Sequence, residues 1–126
     1  MRIENDIKLD YKDVLFRPKR STLTSRKEVD LERQFIFRNS KQEYSGIPIM
    51  TANMDGVGTR QMAVALSKMG LFSCLVKHYS AEELVEFYKD ATLLDENIPN
   101  NVAISIGISE DDLTKLQTVS RNTSKL

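Results

Sequence analysis

A single cysteine, Cys74, occurs among the 126 residues, so no disulfide can form within the chain. A single histidine, His78, with no second cysteine, leaves no His/Cys cluster of the kind that holds zinc. No apolar run approaches the roughly 20 residues that a membrane-crossing helix needs. The opening Met1-Arg2-Ile3-Glu4-Asn5-Asp6 lacks the apolar stretch of a signal peptide. These absences point to the cytosol and away from a membrane. Neither sign of charge dominates, with 18 Lys plus Arg against 18 Asp plus Glu. Net charge therefore argues for neither nucleic acid nor an acidic partner. No glycine loop of the Rossmann or Walker kind is present, no paired carboxylates stand out, and no internal repeat or low-complexity linker interrupts the chain.

What is present is an ordinary globular balance, 40% apolar and 29% charged. From residue 47 onward the order apolar strand, turn, amphipathic helix occurs three times. The first strand is Ile47-Pro48-Ile49-Met50-Thr51-Ala52. Its helix runs from about Gly58 or Thr59 to Met69, with Met62, Leu66 and Met69 on one face and Gly70 as C-terminal cap. The second strand, Leu71-Phe72-Ser73-Cys74-Leu75-Val76, is almost continuously apolar, which suits a parallel sheet buried on both faces. Ser80-Ala81-Glu82-Glu83 then reads as a capping box, followed by a face of Leu84, Tyr88 and Ala91. The third strand is Val102-Ala103-Ile104-Ser105-Ile106-Gly107. Ser109 caps the last helix, whose first turn, Glu110-Asp111-Asp112, is acidic where the helix dipole favours it. Its expected buried stripe is Leu113, Leu116 and Val119.

Residues 1–46 differ. They are polar and irregular, with one hairpin strand expected at Gln34-Phe35-Ile36-Phe37-Arg38. They read as an arm wrapped on the sheet domain, because Leu9, Val14, Leu15 and Phe16 need cover. The domain organisation expected is therefore an arm over 1–46 and three βα units over 47–126. Three such units leave two raw sheet edges, whereas a closed (β/α)8 barrel takes roughly 250 residues. The pattern reads as the first three-eighths of a barrel, cut after its third helix. A three-stranded α/β sandwich is the alternative.

In a barrel, chemistry collects at the carboxyl ends of the strands. Asn53-Met54-Asp55-Gly56 follows the first strand. The Asn amide and adaptable Met side chain could line a pocket for a flat base, or the four residues could be only a turn. Lys77-His78-Tyr79 ends the second strand. Lys77 could hold a phosphate or amide oxygen, and His78 could move a proton, or both could mark an exit to solvent. The stretch from Arg17 to Lys27 packs five basic residues and four hydroxyls, a set suited to phosphate or ribose, or simply a solvated loop. Cys74, mid-strand, reads as a core residue rather than a nucleophile.

Several blocks together resemble the GMP reductase branch of the IMP dehydrogenase/GMP reductase family. They are Asp6-Ile7-Lys8-Leu9-Asp10-Tyr11-Lys12-Asp13-Val14-Leu15 with Arg17-Pro18-Lys19-Arg20-Ser21-Thr22-Leu23, then Ser25-Arg26 and Glu28-Val29. Ile47-Pro48-Ile49 running into Ala52-Asn53-Met54-Asp55, and Lys77-His78-Tyr79-Ser80, complete the set. The Asn53-Met54-Asp55 block is less like the sister IMP dehydrogenase. The resemblance implies a TIM barrel, a cytoplasmic homotetramer, and NADPH-dependent reduction of GMP to IMP and ammonia in purine salvage. It implies that a cysteine beyond this chain attacks the purine, that hydride from NADPH resolves the adduct, and that any monovalent cation is held by the missing portion. Carried over by position, Lys77 resembles a lysine that meets NADPH. Ser25 and Arg26 resemble arm residues that reach a neighbouring subunit's cofactor, and Asn53 and Met54 resemble residues lining the purine pocket. Gly56, Val76 and Ile108 depart from the pattern, at positions where threonine, histidine and threonine are common. A truncated homologue that only binds or assembles is the competing functional reading.

Overall fold

In a computed structural model, which describes residues 3–123, the chain divides into two compact units, one ending at Asp30 and one beginning at Leu31. The first unit has no strand among its described residues. It is organised by short polar clasps. The Asp10 carboxylate accepts from the Tyr11 amide at 2.7 Å, and the Asp13 carboxylate accepts from the Asp10 amide at 2.9 Å, which closes a 3-10 turn over Tyr11–Asp13. Ser25 caps a second 3-10 turn, Arg26–Glu28, by accepting from the Lys27 amide. Thr24 donates both its hydroxyl and its amide to Glu28. The hydroxyl above all holds the Glu28 carboxyl below its ordinary pKa. Leu9, Val14, Leu15 and Phe16 in this unit are all exposed.

The second unit opens with an antiparallel hairpin, β1 (Arg33–Ile36) and β2 (Glu43–Gly46). The expected strand is confirmed there, shifted by two residues at its end. Its partner β2 is too polar to stand out in the sequence. Lys41, at φ 59, makes the turn. Three parallel strands follow in the order β3-β4-β5: β3 (Met50–Thr51), β4 (Phe72–Leu75) and β5 (Val102–Ile104). Helix α1 (Arg60–Ser67) connects β3 to β4, α2 (Ala81–Leu94) connects β4 to β5, and α3 (Glu110–Asn122) follows β5.

The strands are shorter than the apolar runs that contain them. Pro48 has no amide to give a ladder, and the Ile49 amide turns back to the Ile47 carbonyl at 2.7 Å, so β3 begins only at Met50. At the far end, the Val76 amide donates to Gly58 rather than to β5, and the ladder stops at Leu75↔Ile104. Gly58 has to be glycine there, because a Cβ would stand 2.5 Å from the Cys74 carbonyl oxygen.

The helix boundaries follow the capping chemistry. Thr59, Ser80 and Ser109 each accept the amide three residues on, and Glu83 and Asp112 complete capping boxes. After α1 the Gly70 amide reaches the Ser67 carbonyl and the Leu71 amide reaches Leu66, the Schellman pattern, with Gly70 at φ +69. The core is Ala63, Leu75, Leu84, Phe87, Tyr88, Ala91, Ile98, Val102 and Val119. Two expected faces change. On α1 the buried residue is Ala63, with Val64 packed against the core, while Leu66 is half-buried and Met62, like Met69 just past the helix, is exposed. On α3 Val119 is buried, Leu116 is half-buried and Leu113 is exposed.

Candidate functional site at the carboxyl edge of the parallel sheet

Because β3, β4 and β5 are parallel and in register, their carboxyl ends lie along one edge. The segments that leave it are residues 52–59, 76–80 and 105–109. Asn53, Met54 and Lys77 therefore share this edge. Ser25 and Arg26 belong to the first unit, where Ser25 spends its hydroxyl on the Lys27 amide and Arg26 is exposed.

Locally, Asn53-Met54-Asp55-Gly56 is a turn. The Met54 carbonyl accepts from the amides of Val57 at 3.1 Å and Gly58 at 2.8 Å, and Gly56 takes φ +78. The turn leaves both Asn53 and Met54 exposed, Met54 at 63%. An amide and a thioether are thus presented to solvent on the same sheet edge that carries the exposed Lys77.

The second segment is held from both sides. Toward α1, the Tyr79 hydroxyl accepts from the Arg60 amide at 3.3 Å, and the Arg60 guanidinium lies 5.1 Å from the centre of the Tyr79 ring. Arg60 also lies within ion-pair distance of Glu83 and Glu86 on α2. Toward α3, the Lys115 ammonium donates to the Lys77 backbone carbonyl at 2.8 Å. His78 and Asp55, both exposed, approach to 3.9 Å and link the first two segments when His78 carries its proton. The third segment is closed by Asp112, whose carboxylate accepts from the Ser109 hydroxyl and amide. Those bonds, first the Ser109 hydroxyl and then the Gly107 amide, hold its carboxyl below the ordinary pKa, and Lys77 adds a weaker attraction. The sequence marked Ser109 as a helix cap and Asp112 as part of an acidic first turn; their mutual clasp appears only in the structure. The Arg60–Tyr79 and Lys115–Lys77 contacts carry no mark in the sequence, since the partners are 19 and 38 residues apart.

Cys74 is elsewhere. It is half-buried rather than a core residue, and it lines an open cavity of about 1000 Å³ with Tyr44, Met50, Phe72, Asn101 and Ala103. Burial pushes its thiol pKa up, which lowers the thiolate fraction and its value as a nucleophile. No group of His, Cys, Asp and Glu among the described residues could hold a metal ion. No described helix is long and apolar enough to cross a membrane.

The sequence pattern of the IMP dehydrogenase / GMP reductase domain matches residues 8–124. The chain belongs to that family. Among its curated relatives it is 53% identical to GMP reductase of Caenorhabditis elegans over 118 residues and 53% identical to GMP reductase 1 of Homo sapiens over 121. It is 49% identical to GMP reductase of Vibrio vulnificus over 119. Each match covers 94% of this chain but 32 to 33% of the relative, so the chain spans about a third of the length of the curated relatives it matches. The mixed α/β architecture, with two helical crossovers between parallel strands, is consistent with part of such a domain.

Proposed function

We propose that this chain supplies the N-terminal arm (residues 1–46) and the first three βα units (residues 47–126) of a (β/α)8 TIM barrel that, complete, is an NADPH-dependent GMP reductase. The reaction is reductive deamination of GMP to IMP and ammonia. The setting is purine salvage in the cytoplasm, the assembly is a homotetramer, and any monovalent cation is bound outside this chain. Identity of about half to curated GMP reductases, sustained over 94% of the chain, carries this reading.

The carboxyl edge suits its part. When bound, NADPH supplies the hydride. The residues here bind and orient. The exposed Lys77 ammonium offers the dinucleotide a charge-assisted donor. Asn53 offers an amide to a purine edge, and Met54 an apolar surface to a purine face. Ser25 and Arg26 serve the cofactor of a neighbouring subunit, where an arginine fork fits a phosphate. The nucleophilic cysteine comes from beyond residue 126, in keeping with the raised thiol pKa of Cys74.

The test is NADPH consumption with GMP, compared between residues 1–126 and a protein continuing through the family's remaining length. Residues 1–126 stay at background and the longer protein turns over. Turnover by residues 1–126 that vanishes in Cys74→Ser would make Cys74 the nucleophile and overturn the reading. In the longer protein, Lys77→Met raises the NADPH KM roughly ten- to a hundred-fold, the equivalent of about 1.5–3 kcal/mol for a charge-assisted hydrogen bond. A change confined to the GMP KM would remove Lys77 from the cofactor site.

A further inference from the structure

Lys115 lies 38 residues from Lys77 in sequence, on the second turn of α3, yet its ammonium reaches the Lys77 backbone carbonyl at 2.8 Å. That carbonyl lies just past the point where the β4–β5 ladder ends, so no strand partner holds it. The same helix, one turn earlier, carries Asp112, which closes the Gly107–Ser109 segment and feels the charge of Lys77. One face of α3 thus presents a carboxylate and an ammonium toward the end of β4. On the other flank, Arg60 and Tyr79 pin the segment two residues on. Lys77 sits between two anchors, and the one that touches its own peptide group is Lys115.

We infer that Lys115 is a positioning residue: by fixing the Lys77 carbonyl it sets the backbone orientation from which the Lys77 side chain reaches a phosphate-bearing dinucleotide. The inference rests on the reading of Lys77 as a cofactor contact. The Lys115 ammonium gives one of its three donors to the carbonyl, and a Lys77→Met background separates that role from a direct charge contact with the ligand. A methionine at 115 keeps the length of the stem and loses the donor, whereas an arginine keeps a donor at similar reach. Loss of one such bond between exposed groups is worth about three- to ten-fold in binding.

In the longer protein, Lys115→Met raises the NADPH KM by about that factor and leaves kcat and the GMP KM near their original values. Lys115→Arg restores most of the loss. In a Lys77→Met background, Lys115→Met adds nothing, because there is no longer a side chain to position. An unchanged further loss in that background would show that Lys115 meets the dinucleotide itself, and would overturn the inference. So would failure of Lys115→Arg to rescue. If Lys77→Met leaves the NADPH dependence unaltered, the assignment of Lys77 is at fault instead. The bond itself is read without activity, from the carbonyl carbon chemical shift of selectively labelled Lys77. It moves in Lys115→Met and returns in Lys115→Arg. A shift that does not move overturns the inference whatever the kinetics show.

Discussion

The two faces of the parallel sheet differ although one short strand supplies both. From β4, Ser73 and Leu75 point to the helix side and are 1% and 0% exposed. Phe72 and Cys74 point the other way. Phe72 is covered at the beginning of the strand by the hairpin, with the Tyr44 ring at 5.3 Å and the Phe37 ring at 6.3 Å. Further along, Cys74 and its neighbour Met50 line the open cavity, Met50 being 57% exposed. An apolar run specifies what a strand can bury; whether both faces are buried depends on what lies across from them. In the proposed barrel, the open face is where the remaining strands close over the interior.

The strongest way to break this comparison is to cut a side chain from each face. Leu75→Ala, beneath α1 and α2, should destabilise by about 2–5 kcal/mol, the range for leucine truncation in a packed core. Met50→Ala, in residues 1–126, should cost less than about 1 kcal/mol, because most of its surface already meets water. Urea unfolding of both variants gives the answer. Equal costs would mean that something covers the open face.

A smaller effect sharpens the closed side. The buried Ser73 hydroxyl has no hydrogen-bond partner among the described residues. Its desolvation is uncompensated, so Ser73→Ala should stabilise by about 1 kcal/mol despite the lost atom. A fall in thermal midpoint in Ser73→Ala would show that the hydroxyl is satisfied.

The smallest effect belongs to the loop side of the sheet. The folded-state pKa of Asp112 lies below its ordinary value of 3.8. Its contribution is therefore present above that value and is lost as pH falls through the lower, folded-state pKa. Asp112→Asn should flatten the dependence of the thermal midpoint on pH below 3.8 and leave the rest of the profile unchanged in slope. An identical acid limb in both proteins would show that Asp112 is free in the folded state.

The elements most legible in the sequence were those fixed by neighbours in the chain. Ser80 with Glu83, and Ser109 before its acidic first turn, mark helix starts because the capping hydroxyl and the amide it accepts from are three residues apart. Gly70 marks a helix end because only glycine takes φ +69 at little cost. Leu84, Tyr88 and Ala91 share a face by helical period, and all three are buried. Less legible were lengths and faces. The run Ile47–Ala52 reads as one strand, but the Pro48 bend leaves two residues of it paired. Met62, Leu66 and Met69 share a face by helical period, yet the residue fully buried on α1 is Ala63, because what lies across from a helix decides which side is covered. The 3-10 helix Ile98–Asn101, which buries Ile98 and Pro99 beneath α2, carried no periodic signal at all.

At the candidate site the division is the same. The sequence by itself determined that Asn53, Met54 and Lys77 follow strands, since a turn chemistry of Asn, Asp and Gly and a charge after an apolar run are local facts. It also determined the family, through residues 8–124. Only the tertiary structure decided that these residues share one edge, because parallel register brings strand ends together that are more than twenty residues apart in sequence. It alone decided that Lys115 holds the Lys77 carbonyl and that Arg60 lies over Tyr79. Such contacts depend on how helices lie against the sheet, which is set by the volumes packed between them and not by any spacing along the chain.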